Sequence, residues 1–532
     1  MQECHTPLPF ASPSPSRRES QVPREYNRVV RWAAYLVAFV TFVTLGSSPS
    51  RADEALWTGS AAGEARTQAL LKALRAASEH GLDPDWYRPS DLEQAVADPD
   101  KSASDADKAR AERLITDAFV SYASDVSTGR VRANTVDKDI DIQQRKVERA
   151  DLLKAAAEAS DFAAWLAALP PKGDYPALQK ALSDLRAKRA ATTFTPLPSG
   201  DLLRPGMTDS RVSILRKRLD ELGLPTPPLG GPTPDFYDEP LAAVVKSYQE
   251  TKGLTVDGVI GINTTRSLNT SIDDRIEQIV ANLERRRWLP ENLGSRYVLV
   301  NAGDYSMVFV DGGQRVFESL VIVGTPKDPT PEIQSVMYGF QTNPYWTVPQ
   351  AISGEEYLPM LRRDPYSLAA NGFKIFASWS DNNSEIDPGS IDWSAVHPKA
   401  FPYRIRQEPG ASNALGYIFF PFVNKYGIYM HDTANRWLFT EGSRNFSHGC
   451  IRLQNPLDFV EKVFKGKNGF DKEKVRAVIN AQQQVHYAFP DSVPLFVTYR
   501  TVSVDNDGAP VFRDDVYGRD HRVVQAMARP RS

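Results

Sequence analysis

Residues 447–450 read Ser-His-Gly-Cys, and 19 positions before the cysteine a second histidine stands in Tyr429-Met430-His431-Asp432. A thiol becomes a nucleophile when a neighbouring imidazole lowers its pKa or removes its proton, so this pairing of residue types points to covalent acyl chemistry. The only other cysteine, Cys4, precedes a segment with the pattern of an export signal. A processed chain keeps Cys450 alone, and a single cysteine cannot close an internal disulfide; its value is reactivity. His431 and Cys450 meet only if the chain folds back on itself.

The flanking residues say how that could happen. Residues 426–430 alternate as a strand does and would deliver His431 at its end. After Cys450, Asn455 suits an N-cap and Pro456 a first helical position, followed by a buried stripe of Leu457, Val460, Val463 and Phe464. Cys450 is therefore expected between sheet and helix, on a turn tightened by Gly449, with a backbone N–H at or beside it as a candidate oxyanion donor. The bland alternatives are a small buried cysteine and structural histidines. Zinc held by His431, His448 and Cys450 is a third reading, but no second cysteine pair or helical His-Glu motif accompanies them.

The chain has 532 residues, enough for about three domains. Its 63 basic and 66 acidic side chains nearly cancel, which argues against a nucleic-acid partner. Residues 1–52 carry arginines, a 14-residue apolar run at 32–45 and Ser50-Arg51-Ala52, the parts of an export signal. Cleavage after Ala52 or retention as an anchor are both open, and either places the protein in the periplasm. Residues 53–195 show helical spacing without a cluster of catalytic residue types and read as a scaffold. Residues 196–271 hold a Pro-rich linker and a compact unit with helices expected at 210–222, 239–251 and from Asn263, and tight turns at Asp257-Gly258 and Gly261. Residues 272–295 read as an amphipathic linker helix whose Arg285-Arg286-Arg287 forms a solvated end. From 296 to 502 the period changes to two, predicting a mainly β domain interrupted by a lid-like insertion at 345–410. Residues 503–532 are expected as a hairpin and tail. The fold class is multidomain α+β.

Tyr248-Gln249, Gly253-Leu254, Asp257-Gly258, Gly261 and Thr264 resemble the three-helix peptidoglycan-binding module. Ser447-His448-Gly449-Cys450-Ile451-Arg452, with His431-Asp432-Thr433 upstream, resembles the signature of the L,D-transpeptidase catalytic domain. Asn413-Ala414-Leu415-Gly416, Asn343-Pro344-Tyr345-Trp346 and Asn282-Leu283-Glu284-Arg285 extend the likeness to the large periplasmic members. The resemblance implies Cys450 as nucleophile, His431 as general base, and His448 shaping the pocket or assisting proton transfer. Ser447 and Gly449 would build the turn and oxyanion region. Arg452, Asp432, Tyr345, Trp346 and Asn413 are the substrate-binding candidates. Arg452 would bind a stem carboxylate or hold the loop by an ion pair. Asp432 would orient His431 through its side chain or its carbonyl. The implied reaction forms 3→3 cross-links between peptidoglycan stems through a cysteinyl thioester, with no cofactor or metal. Peptidoglycan stem peptides and glycan strands are the implied partners. Transfer of the same thioester to water, attachment of a protein to the wall, and non-catalytic wall binding are the rivals.

Overall fold

The computed structural model describes residues 55–96, 104–252, 254–290, 292–380, 384–465 and 470–530. The expected export signal, Gly253 and the polar run Asp381-Asn382-Asn383 lie outside these residues. No helix among the described residues is long and apolar enough to cross a membrane.

The scaffold is built from helices Ala61–Arg75, Asp105–Thr128, Arg149–Glu158 and Tyr175–Arg189. Ser60 and Ser104 start the first two, each side chain accepting from a backbone N–H three residues on. Leu70, Leu74, Phe119, Tyr122 and Leu178 form one core with Ile279, Leu283 and Trp288 of the helix Ile272–Trp288. That helix is no linker. Ser271 and Asp274 close a capping box at its start, and every residue from Gln278 to Trp288 is buried.

The three arginines expected in solvent are therefore interior. Arg285 pairs with Asp520. Arg286 reaches Asp174 at 2.6 Å, and Arg287 reaches Glu284 at 2.7 Å and the Tyr175 hydroxyl at 2.7 Å. The reason is tertiary: the scaffold helix Tyr175–Arg189 and the C-terminal helix Arg519–Ala528 pack on both sides of this helix. A charge enclosed in this way persists only when paired. The expected C-terminal tail is corrected likewise, since Val523 and Met527 of that last helix enter the scaffold core.

Helices Arg211–Glu221, Glu239–Thr251 and Ile262–Leu268 make a small separate core around Leu215, Leu241 and Val245. The buried Gln249 amide organises the turn, donating to Asp257, Thr264 and the Val259 carbonyl and accepting from Gly258 N at 2.8 Å. Gly258 has φ +74°, but Gly261 is extended and caps the third helix without a side-chain bond.

One short strand, β1 (Ile140–Asp141), leaves the scaffold and joins the catalytic sheet. That sheet contains β2 (Tyr297–Asn301), β3 (Ser306–Asp311), β4 (Gln314–Gly324) and β5 (Glu332–Thr342). The chain then enters the insertion, whose strands are β6 (Trp346–Thr347), β7 (Phe373–Phe376) and β8 (Arg404–Gln407). It returns through β9 (Ile418–Phe420), β10 (Met430–His431), β11 (Asn445–Ser447), β12 (Ile451–Leu453) and β13 (His486–Thr498), and ends with the hairpin of β14 (Val502–Val504) and β15 (Pro510–Phe512). The order β5-β13-β2-β3-β4-β12-β10-β9 closes because β9 also pairs with β5. Phe309, Met337, Phe420, Met430, Ile451 and Phe459 lie in its core.

The expected strand at 426–431 shrinks to two residues. Asn424 Oδ1 accepts from Tyr426 N and Ile428 N, and Gly427 has φ +64°, so a turn replaces the first half. The insertion is a folded unit, with the sheet β6-β8-β7 and a core of Val348, Leu358, Leu361, Ile375, Trp393 and Phe401.

Arg287→Met would leave Glu284 buried and short of its charge partner, and should lower unfolding free energy by about 3–5 kcal/mol. Arg149→Met, which removes the exposed pair with Asp117, should cost under about 1 kcal/mol. Urea unfolding followed by circular dichroism measures both, and equal losses would contradict this account.

Candidate active site

Strands β10 and β12 run parallel, with Met430 opposite Ile451 and His431 opposite Arg452, and Ile451 N donates to Tyr429 O at 3.0 Å. Met430 and Ile451 are fully buried in the core. Alternation along β10 and β12 then places His431 and Arg452 together on the other face. Cys450 directly precedes β12, the partner strand of the one that carries His431. The Tyr429 and His431 rings lie 5.6 Å apart.

The cysteine turn is held from below. Ser447 Oγ donates to Cys450 O at 2.5 Å and accepts from Gly449 N at 3.2 Å. Gly449 sits at φ +100°, where a side chain would be strained. Its carbonyl accepts from Thr330 Oγ1 at 2.9 Å, and Thr330 in turn accepts from Gly324 N at 2.8 Å. Tyr517, beside the C-terminal helix, donates to Gly324 O at 2.8 Å. The Gly449 N–H thus contributes to the turn by donating to Ser447 Oγ.

His431 is buried. Its Nδ1–H donates to the Asp432 carbonyl at 2.5 Å, which fixes the tautomer and leaves Nε2 as the basic nitrogen. Burial above all, and then the Arg452 charge, push its pKa down to about 3, while the carbonyls of Asp432 and Leu415 act in the opposite direction. At neutral pH the ring is uncharged. The question left open by Asp432 is resolved in favour of its backbone. The carboxylate faces elsewhere, accepting from Tyr417 N at 3.0 Å and pairing with Arg436 at 2.6 Å.

Two other substrate-binding candidates are structural. Asn413 is fully buried; its amide donates to Pro344 O and Glu408 O at 3.0 Å and accepts from Leu415 N at 2.8 Å. Trp346 packs in the insertion against Tyr357 and Phe373. These polar and aromatic residues read as binding groups in the sequence because the loops they staple were not yet visible. Tyr345 remains exposed, with the Arg406 guanidinium 4.5 Å from its ring centroid.

Arg452 lies opposite His431 on β12. Among the described residues it has no ion-pair partner, and its enclosed Nε has no hydrogen-bond partner. Burial lowers its pKa, and charge on Cys450, Tyr429 or Tyr357 would raise it. The loop-holding ion pair weighed from the sequence is thus not formed.

His448 turns to the insertion. Its Nε2 lies 2.6 Å from Glu356 Oε1, and Lys327 pairs with the adjacent Glu355 at 2.6 Å. Both glutamates belong to a π-helical turn, Ser353–Tyr357, a local widening of the helix frequent at functional sites. Gly354 allows its close seat, since a Cβ there would fall 1.9 Å from Pro398 O. Glu356 and Tyr357 went unnoticed in the sequence, where only an irregular Gly-Glu-Glu-Tyr run marks them. No group of three or more metal-ligating side chains converges among the described residues.

The bond to Glu356 raises the His448 pKa, and that same bond lowers the pKa of Glu356. Its charged form contributes fully below the ordinary histidine value of 6.5 and fades as pH rises through the raised one; on the acid side it fades as pH falls through the lowered Glu356 value. Hydrogen exchange at 353–363, corrected for intrinsic rates, should accelerate severalfold as pH rises through that upper limit. Glu356→Gln should be fast throughout. Protection independent of both would remove the latch.

The family model of the YkuD L,D-transpeptidase catalytic domain matches residues 295–479, the scaffold-domain model residues 49–182, and a model described as "Putative peptidoglycan binding domain" residues 208–268. A Haemophilus influenzae protein described as "Putative L,D-transpeptidase" is 31% identical over 255 residues, covering 48% of this chain and 50% of its own. The chain therefore spans about half the length of that relative. Among solved structures, an L,D-transpeptidase from Xylanimonas cellulosilytica is 12% identical, with 56% of this chain and 98% of that one covered at a TM-score of 0.16. A cysteine-to-serine variant of the Enterococcus faecium L,D-transpeptidase is also 12% identical, with 48% and 82% covered at 0.17. Residues 295–479, which hold both Cys450 and His431, belong to the YkuD family of L,D-transpeptidase catalytic domains, and the chain joins them to a scaffold domain and a peptidoglycan-binding domain.

Proposed function

We propose that this protein forms 3→3 cross-links in peptidoglycan by acyl transfer through Cys450. What supports the proposal is a tautomer-fixed His431 on β10, paired with the strand that begins one residue after Cys450. The Cys450 sulfur attacks the carbonyl carbon of the third residue of a tetrapeptide stem. The bond to the terminal D-alanine breaks, and its nitrogen leaves with a proton relayed from solvent through His431 Nε2. A side-chain amine of a second stem then attacks the thioester, gives its proton to His431 Nε2, and expels the thiolate. His448 acts in this scheme by fastening the insertion over the cysteine turn, and the insertion limits competition by water.

The peptidoglycan-binding module supports wall polymers as the substrate. Such a substrate agrees with export to the periplasm through residues 1–52. Release of the acyl group to water, giving a carboxypeptidase, uses the same residues, and the product distinguishes the two.

Cys450→Ala should abolish dimer formation from tetrapeptide muropeptides while leaving the thermal transition in place. His431→Asn should slow turnover by about 10²–10⁴-fold. Mass spectrometry of the products reads both; undiminished turnover in the cysteine variant would refute the mechanism. From the family resemblance, a carbapenem should add covalently to Cys450 and a penicillin poorly. Tripeptide without dimers would favour the carboxypeptidase.

A further inference from the structure

A cysteine paired with a charged imidazole is the usual way to hold a thiolate, and this site is poorly arranged for it. The His431 ring is buried and carries its hydrogen toward a backbone carbonyl, with the Arg452 guanidinium opposite it on the neighbouring strand. A positive charge on that ring would face both desolvation and a like charge. Arg452 lies in β12, which begins one residue after Cys450, and Cys450 is first among the charges that act on the guanidinium. Its guanidinium is deeply set and has no acidic partner.

The groups facing Arg452 can be named from each element around it. They are Cys450 on its own segment, Tyr429 and His431 on β10, Tyr357 on the insertion, and His448 on the cysteine turn. No carboxylate is among them: Asp432 is taken by Arg436, and Glu356 by His448. The thiolate is the anion the site itself can offer.

We infer that the counter-charge of the Cys450 thiolate is the Arg452 guanidinium, and that His431 serves as a neutral base and never as the resting imidazolium partner. Arg452 is a positioning residue in this scheme, setting the protonation state of the nucleophile. Loss of the thiol proton to solvent leaves sulfur with the charge that the guanidinium balances. His431 Nε2 then stays free to take the proton of the incoming amine. The inference rests on Cys450 being the nucleophile, which the alanine variant tests separately.

The experiment is the pH dependence of Cys450 alkylation by iodoacetamide in the full chain, followed by intact mass. A free thiol titrates near 8.5, and a cation beside it lowers that value to about 3.5–7.5. The wild-type midpoint should fall in the lowered range. Arg452→Met should raise it by at least about one unit, a tenfold loss of alkylation rate at pH 7. Arg452→Lys, which keeps the charge, should recover most of the shift, and His431→Asn should leave the midpoint within about 0.3 units. The inference is overturned by a wild-type midpoint near 8.5, by a lysine variant titrating like the methionine one, or by a rise in His431→Asn exceeding that in Arg452→Met. A methionine variant that fails to fold leaves the lysine, asparagine and wild-type profiles to decide.

Discussion

The site depends on a parallel pairing only two residues long. Met430 and His431 run beside Ile451 and Arg452, and that register alone decides which side chains face outward together. A slip of one residue would turn His431 into the core and bring Met430 out, because the side-chain period of a strand is two. Such a short pairing is weak by itself. It is clamped by β9 on one side and β4 on the other, both with their own registers, and by the fully buried Met430 and Ile451 beneath.

Much of this was legible in the residues. The glycine turn before Cys450, the strand ending at His431, the helix after Asn455 and the C-terminal hairpin could be read from local pattern. What escaped was tertiary. β5, the strand that closes the sheet, reads Glu-Ile-Gln-Ser-Val-Met-Tyr-Gly-Phe-Gln-Thr and mixes polar and apolar residues too freely for alternation to mark it. The start of β13 was hidden by Pro490-Asp491, which the strand absorbs in an irregularity between Ala488 and Val493. Asn413 and Trp346 carry the residue types of a binding site but do loop and core work, and nothing local separates these uses.

The buried arginines were misread for the opposite reason. Three consecutive cations at a helix end satisfy every local expectation of a solvated terminus. Their partners come from residues 174, 284 and 520, so two of the three are far away in sequence. The same helix touches the scaffold, the C-terminal helix and the segment after β13, where Asn282 Oδ1 accepts from Thr501 N at 3.1 Å. Charge pairing thus joins regions that the sequence presents as separate, and β1 adds a backbone connection, with Glu332 N donating to Asp139 O at 2.8 Å. Enclosed ion pairs of this kind contribute little net stability but make mispaired arrangements expensive. They therefore define how scaffold and catalytic sheet sit together.

The insertion leaves and rejoins the sheet through β6 and β8, which pair with each other, Trp346 against Gln407. Its entry and exit are thus neighbours, and the barrel between β5 and β9 is spanned as it would be by a short loop. Since loop-closure cost rises only slowly with length, such a neck makes the intervening sixty or so residues nearly free to change in size. The barrel and the insertion can accordingly diverge at different rates: a lineage can enlarge, trim or replace the insertion without disturbing the pairing of β10 with β12.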